Sequence, residues 1–333
     1  MGSMGIFLGM LVRMGAGVGI FLYGLHLISS YLEELAGPAM EKSLRRLTAN
    51  PWAGALTGTV ITAMVQSSTA VTVMTVSLVD KGIMTLEQAV GVILGANVGT
   101  AGTGVMAALP IRRLAPLLLA GGALAVLAVR GGEKLAGRKR TGGIKLAGAL
   151  AMGLGMLLLG MELMQEAMVP YRSSPGLIRL LSGLGHPVSG VLGGAVFTAL
   201  IQSSSASVAL LQSMAAEGMV ELQQSAYIVY GQNIGTCVTA LWASARLSPA
   251  ARSCARLHLL INLLGTAVFL AADRLLPLTA WVGSWTPENP AMQIANLHLF
   301  FNLASTCLLL PFSRGLVQIS KNFSLLFGKK VLL

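Results

Sequence analysis

Apolar segments make up most of the chain, at about 14–35, 50–78, 85–109, 114–129, 146–168, 187–217, 222–244, 255–272 and 291–312, with a short interfacial lead-in at 5–12. Most have roughly the 20 residues that a helix needs to cross a bilayer core. Two do not fit that length. The segments at 50–78 and 187–217 hold roughly 30 residues, too many for one upright span and too few for two spans with a turn. Each arm of about 15 residues would reach only ~22 Å into a ~30 Å core. These two segments predict re-entrant helical hairpins. Their tips fall on the polar runs Gln66-Ser67-Ser68-Thr69-Ala70 and Gln202-Ser203-Ser204-Ser205-Ala206. Two of the spans carry a second polar pattern, Gly95-Ala96-Asn97-Val98-Gly99-Thr100 and Gly231-Gln232-Asn233-Ile234-Gly235-Thr236. Gly and Asn tolerate left-handed backbone angles, so each pattern predicts an unwound break in its helix.

The polar patterns belong to an internal duplication. At a fixed offset of 136 positions, 54–70 and 190–206 share 10 of 17 residues, and the second pattern shares 4 of 6. Gly19, Gly24 and Gly82 match Gly155, Gly160 and Gly218 without a gap. The expected organisation is a first repeat at 5–130, a basic linker at 131–145, a second repeat at 146–272, and an extra span with a tail at 273–333. The fold class is an all-α polytopic membrane protein of two inverted-topology repeats, each with a re-entrant hairpin and a broken transmembrane helix, plus one extra C-terminal span.

Composition agrees with the membrane class: 54% of residues are hydrophobic, 11% are charged, and the mean hydropathy is +0.75. The net charge of +11 lies in short loops between apolar segments, which fits membrane orientation and not a nucleic-acid face. If the hairpins are re-entrant, the loops at 36–50, 81, 130–145 and 246–256 and the tail share one side and carry 17 of the 23 Lys and Arg. By the positive-inside rule that side is cytoplasmic, the repeats are inverted, and seven crossings put the N-terminus outside and the C-terminus in the cytoplasm. Cys237, Cys254 and Cys307 are scattered and suit neither disulfides nor zinc.

Inverted repeats with discontinuous elements place a binding site near the bilayer midplane, where the repeats meet. Four helix N-termini, after Gln66, Asn97, Gln202 and Asn233, would together offer roughly +2 charge equivalents, which suits a small oxyanion. Ser67, Ser68, Ser203, Ser204, Thr100 and Thr236 add hydroxyl donors, and Gln66, Gln202, Asn97 and Asn233 add amides. The oxygens of the same groups suit a hard monovalent cation such as Na⁺. The motif regions hold no Asp, Glu, Lys or His, which favours Na⁺ over H⁺ as coupling ion. There is no nucleophile–base pair or Walker loop, so the chain is read as a transporter and not an enzyme. Gly54, Gly58, Gly190 and Gly194 are read as helix-packing residues. His258 with Asn262, and His298 with Asn302, stand four apart on one helix face and are read as structural hydrogen-bonding pairs.

These residues resemble the type II sodium-dependent phosphate cotransporter family and its bacterial members. The Gln-Ser-Ser-Ser signature appears as Gln66–Thr69 and Gln202–Ser205, the Gly-Ala-Asn-Ile-Gly-Thr signature as Gly95–Thr100 and Gly231–Thr236, and the His-x-x-x-Asn pattern as His258–Asn262 and His298–Asn302. The resemblance implies Na⁺-driven uptake of inorganic phosphate across a bacterial inner membrane by alternating access. Phosphate is expected at Gln66, Ser67, Ser68, Asn97, Thr100, Gln202, Ser203, Ser204, Asn233 and Thr236. Na⁺ is expected at Gln66, Thr69, Asn97, Gln202, Ser205 and Asn233. No other cofactor is expected. The alternatives are another small oxyanion, export in place of uptake, or a passive anion channel. The expected partners are phosphate, Na⁺, the bilayer and a second copy in a homodimer. The PhoU-like regulatory domain that follows the last span in some bacterial relatives is not expected in this chain. Departures from the family pattern are Thr69 for the last Ser, Gln232 for the usual Ala, and Gly122 and Val126 where the first repeat would match His258 and Asn262.

Overall fold

The computed structural model describes the backbone of residues 3–46, 48, 50–136 and 138–326; for 3–7, 33–43, 45–46, 130–136, 138–141 and 323–326 it describes the backbone alone. The side chains of Lys42, Arg45 and Arg46, the basic residues from Arg130 to Arg140, and the tail beyond 326 therefore lie outside the described residues. The described chain is helical, with no strand among its residues.

The first repeat comprises α1 (Ser3–Arg46), α2 (Pro51–Val65), α3 (Ser68–Asp80), α4 (Leu86–Ala108) and α5 (Ala115–Ala136). The second comprises α6 (Arg138–Met168), α7 (Pro175–Ser182), α8 (Pro187–Ile201), α9 (Ser204–Ala216), α10 (Leu222–Gly235), α11 (Cys237–Ser244) and α12 (Pro249–Leu275). There follow α13 (Leu278–Gly283), α14 (Pro290–Leu309) and α15 (Ser313–Leu326). Shifting α2 and α3 by 136 positions reproduces the bounds of α8 and α9, and shifting α4 reproduces the span of α10 with α11. Among the described residues, six helices are long and apolar enough to cross a membrane. The seventh expected crossing, 222–244, is divided at Thr236 into α10 and α11.

Three local expectations change. The helix does not stop with the apolar segment at 14–35, because α1 stays helical through Pro38 to Arg46; membrane helices accommodate proline where neighbouring groups re-satisfy the freed carbonyl. The stretch 131–145, expected as a linker, is entered by α5 from one side and by α6 from the other. The third change concerns the helix breaks. α4 is continuous from Leu86 to Ala108, so the Gly-Ala-Asn-Val-Gly-Thr segment is not unwound. In the second repeat the interruption is Thr236 alone, which keeps right-handed helical angles.

The glycines of that segment serve a different purpose. A Cβ on Gly95 would sit 1.9 Å from the carbonyl oxygen of Ala55, and one on Gly231 would sit 2.0 Å from that of Val191. Gly99 meets Thr59, Gly235 meets Ala195, and Gly58 and Gly194 meet the carbonyls of Val92 and Ile228. Lacking side chains, these residues let α2 lie directly on α4, and α8 directly on α10, as small residues do in membrane helix pairs. The packing role expected of Gly54, Gly58, Gly190 and Gly194 therefore extends to the glycines flanking Asn97 and Asn233.

α1 and α6 run antiparallel through a reciprocal contact. A Cβ on Gly17 would lie 2.9 Å from the carbonyl oxygen of Gly160, and one on Gly24 would lie 2.6 Å from that of Gly153. Gly17 is equivalent to Gly153, and Gly24 to Gly160, at the 136 offset. The core divides accordingly: one apolar cluster joins α2, α3 and α4 to α11, α12 and α15, and another joins α1 and α6 to α9.

Candidate functional site

Each hairpin tip is built by one residue with unusual backbone angles. Gln66 closes α2 at φ 55°, ψ 23°, and Gln202 closes α8 at φ 57°, ψ 21°. Among the described residues these are the only non-glycine positions at positive φ. A left-handed conformation costs an L-residue roughly 1–2 kcal/mol, and such positions are normally given to Gly. The following serine then starts the next helix. Ser67 Oγ accepts from Ala70 N at 3.2 Å, and Ser203 Oγ accepts from Ala206 N at 3.2 Å, so each is a side-chain N-cap. The chain reverses at this point. Thr198 Oγ1 donates to Ser207 Oγ at 2.8 Å although nine residues separate them, a separation of roughly 13 Å along a straight helix.

Capping leaves specific groups free. The first backbone N–H groups of α3 and α9 have no intrahelical acceptor. The hydroxyls of Ser67 and Ser203 use an oxygen lone pair for the cap and keep their hydrogen. Ser68 is buried at the start of α3, and Thr69, Ser204 and Ser205 are half-buried beside it and at the start of α9. The tips therefore present donors.

The Asn and Thr residues present the opposite polarity. Asn97 Nδ2 donates to Asn262 Oδ1 at 2.9 Å, and Asn233 Nδ2 donates to Val229 O at 2.9 Å, so each amide keeps its oxygen. Thr100 Oγ1 donates to Ala96 O and Thr236 Oγ1 donates to Gln232 O, both at 2.9 Å. Each Thr hydroxyl has committed its one hydrogen and each Asn amide one of its two, and all four side chains retain acceptor oxygens. The sequence places them at helix breaks as donors to an anion, with Asn97 and Asn233 also as oxygen ligands for Na⁺. With α4 intact there is no helix N-terminus after Asn97, so the expected four termini reduce to three, the two at the tips and the start of α11 at Cys237.

The hairpins are not wired alike. Gln66 is half-buried; its Oε1 accepts from Thr103 Oγ1 at 2.6 Å and its Nε2 donates to Ala63 O. Gln202 is exposed, and Thr239, the counterpart of Thr103, donates to Thr236 O at 3.0 Å. Thr103 thus joins the first hairpin's surroundings without having been singled out in the sequence; its recurrence as Thr239 at the same offset was the available signal. Asn262 likewise reaches Asn97, and its own Nδ2 donates to His258 O and Cys237 Sγ. The expected His258–Asn262 pair is thus made only through the His258 backbone, the imidazole nitrogens having no partner, and Asn262 bonds Asn97 instead. The second hairpin meets α4 just past Thr103, where the Cα of Gly104 faces Val208 and Gln212 Nε2 donates to Gly104 O at 2.9 Å. No group of three or more metal-ligating His, Cys, Asp or Glu occurs among the described residues.

A duplicated polytopic helical chain with paired polar hairpin tips suits a membrane transporter, and comparison with known proteins gives the family. The sequence profile of the Na⁺/Pi-cotransporter family matches residues 20–166 and 174–327. The chain belongs to the Na⁺/Pi-cotransporter family. It is 31% identical over 294 residues to the uncharacterized protein YqeW of Bacillus subtilis, covering 87% of this chain and 91% of YqeW. It is 28% identical over 312 residues to YjbB of Escherichia coli, named as an inorganic phosphate export protein, covering 93% of this chain and 55% of YjbB. The chain thus spans about half the length of YjbB. A segment of 56 residues is 43% identical to sodium-dependent phosphate transport protein 2A of Rattus norvegicus, 17% of this chain and 9% of that protein. No solved structure matches the chain. Family and relatives identify a transporter and not an enzyme.

Proposed function

We propose that the protein moves inorganic phosphate together with Na⁺ by alternating access, with one site shared between two inverted repeats. The observation that carries this reading is the pair of left-handed glutamines, Gln66 and Gln202. Backbone strain kept at a non-glycine residue marks a position where the side chain is needed. Both occurrences sit where a helix N-terminus and free serine hydroxyls converge, an arrangement suited to an oxyanion.

The polarity of the site residues divides the work. Ser67, Ser68, Ser203 and Ser204, with the N–H groups beside them, hold phosphate. The oxygens of Asn97, Thr100, Asn233 and Thr236 suit Na⁺, as do the hydroxyls of Thr69 and Ser205. Gln66 and Gln202 set the tips and take part through their amides.

Four hydrogen bonds support the inversion. Ser248 N donates to Asp80 Oδ1 at 2.8 Å, which brings the end of α3 beside the start of α12. Asn289 Nδ2 donates to Ala108 O at 3.1 Å, and Gln212 Nε2 bonds both Gly104 O and Ala291 O, which gathers the ends of α4 and α9 and the start of α14. α4 therefore runs towards the end from which α10 starts, and α10 with α11 runs back to the end from which α4 starts. The reciprocal Gly17–Gly160 and Gly24–Gly153 packing has the form of an isologous two-fold contact.

Purified protein in liposomes provides the test. Phosphate should accumulate only while an inward Na⁺ gradient is imposed, and a reversed gradient should drive it out. Equilibration without Na⁺ would replace this reading with a passive anion channel.

A further inference from the structure

α14 has no counterpart in the first repeat at the 136 offset, and α12 has one, α5. In space the pairing differs. α5 packs along α6, with Gly122 on Gly148 and Gly155 on Leu119. Its membrane segment is 22% buried, against 50% for those of α12 and of α14 with α15. α12 contacts α3, α4 and α10, and α14 contacts α9, α10 and α4. These are the same surroundings once the repeats are exchanged.

The residues agree with that exchange. His258, Asn262 and Thr266 on α12 recur as His298, Asn302 and Thr306 on α14, each 40 positions later, and all six are buried. Thr266 Oγ1 lies 3.5 Å from Tyr230 O, and Thr306 Oγ1, which donates to Asn302 O at 2.8 Å, lies 3.4 Å from Leu94 O. Leu94 and Tyr230 are themselves equivalent at the 136 offset. The helices also touch each other at equivalent positions, since a Cβ on Gly265 would lie 2.9 Å from Ser305 Oγ. A two-fold axis requires such a self-contact.

The exchange breaks down at the asparagines. Asn262 accepts from Asn97. The matching pair, Asn302 and Asn233, is not joined: Asn233 Nδ2 turns to Val229 O and Asn302 Nδ2 to His298 O, each at 2.9 Å within its own helix. The hairpins differ in the same sense, with Gln66 held by Thr103 and Gln202 exposed.

We propose that α14 is the spatial mate of α12, and that Asn262 and Asn302 are positioning residues that grip Asn97 and Asn233 in alternation. In the conformation described, the Asn97–Asn262 contact is made. In the opposite-facing conformation the Asn233–Asn302 contact replaces it, and the chain exchanges the roles of its repeats by exchanging these two bonds. The proposal rests on the alternating-access reading and adds residues to it: a span outside both repeats becomes half of the switch.

The test reads accessibility and not transport. In a background carrying Cys237→Ala, Cys254→Ala and Cys307→Ser, Ser205→Cys is labelled with a membrane-impermeant maleimide from each face of sealed vesicles. Asn262→Ala should shift the ratio of labelling from the two faces by about tenfold, the change in a two-state equilibrium that one lost hydrogen bond supports. Asn302→Ala should shift it in the opposite direction. In the same background, Asn233→Cys with Asn302→Cys should form an oxidative cross-link, as should Asn97→Cys with Asn262→Cys, the folded control. Shifts in the same direction, no shift, or a 97–262 cross-link without a 233–302 cross-link would overturn the proposal. None of these readouts needs phosphate or Na⁺. Opposed shifts in a protein that moves no phosphate would uphold the switch and overturn the substrate reading instead.

Discussion

The two hairpins share a backbone and differ in their side-chain bonds. Gln66 and Gln202 agree within 2° in φ and ψ, and Ser67 and Ser203 both cap through Oγ. Beyond the tips the similarity ends. Thr198 bonds Ser207 inside the second hairpin, whereas Thr62, its equivalent, is buried with no hydrogen-bond partner because Val71 stands where Ser207 would be. Gln66 reaches across to α4, and Gln202 does not. The tip motif and the packing glycines set the fold of each repeat; the residues around them set how firmly each repeat is held. The repeats are therefore equivalent in backbone and distinct in the side-chain bonds that hold them.

The most disruptive way to probe the equivalence is through the glycines. Gly95→Ala and Gly231→Ala should each destabilise the protein by about 3 kcal/mol, the upper range for overpacking. The added carbon would meet a backbone carbonyl, which no rotamer change can relieve. Melting followed by fluorescence-detected size exclusion in detergent measures this. An unchanged midpoint for either variant would reject close packing and revive the unwound-segment reading.

Next in size is the effect at the tips. Gln66→Gly and Gln202→Gly keep the backbone angles accessible and delete the amide. Phosphate transport should fall roughly tenfold or more in each, the consequence of losing hydrogen bonds to a charged ligand. Stability should respond differently in the two. Gln202→Gly relieves strain and should gain about 1 kcal/mol. Gln66→Gly also loses the Thr103 bond, so its gain should be smaller or nil. Equal stability changes would show that the Gln66–Thr103 bond contributes nothing in solution.

Much of this was legible in the sequence because it depends on chain length and repetition. The hairpins follow from segments of the wrong length for a span, and their tips from the Gln-Ser-Ser runs near the middle of each. The glycines of the Asn motifs misled because local propensity and helix packing call for the same residue: Gly permits an unwound turn and also permits a second helix at contact distance. Nothing within six residues separates these; the separation comes from Pro51–Val65 lying across α4. The Asn97–Asn262 contact was hidden for a different reason. It joins residues 165 apart on elements from different repeats, and the 136 offset that exposes the duplication matches Asn262 with Val126 on the outlying α5.

The smallest effect lies in the threonine pair, and it separates the hairpins most directly. Ser207→Val should orphan Thr198 and lower stability by about 1–2 kcal/mol, because a buried hydroxyl would lose its partner. Val71→Ser should do the reverse: it offers Thr62 the acceptor that Thr198 already has, and the net gain from one such bond is about 1 kcal/mol. The two substitutions exchange the internal bonding of the hairpins while leaving tips, caps and packing glycines untouched. Combined, they should restore a melting midpoint near that of the parent chain. If Val71→Ser instead destabilises, Thr62 does not face position 71, and the first hairpin closes at a different angle from the second despite its matching tip.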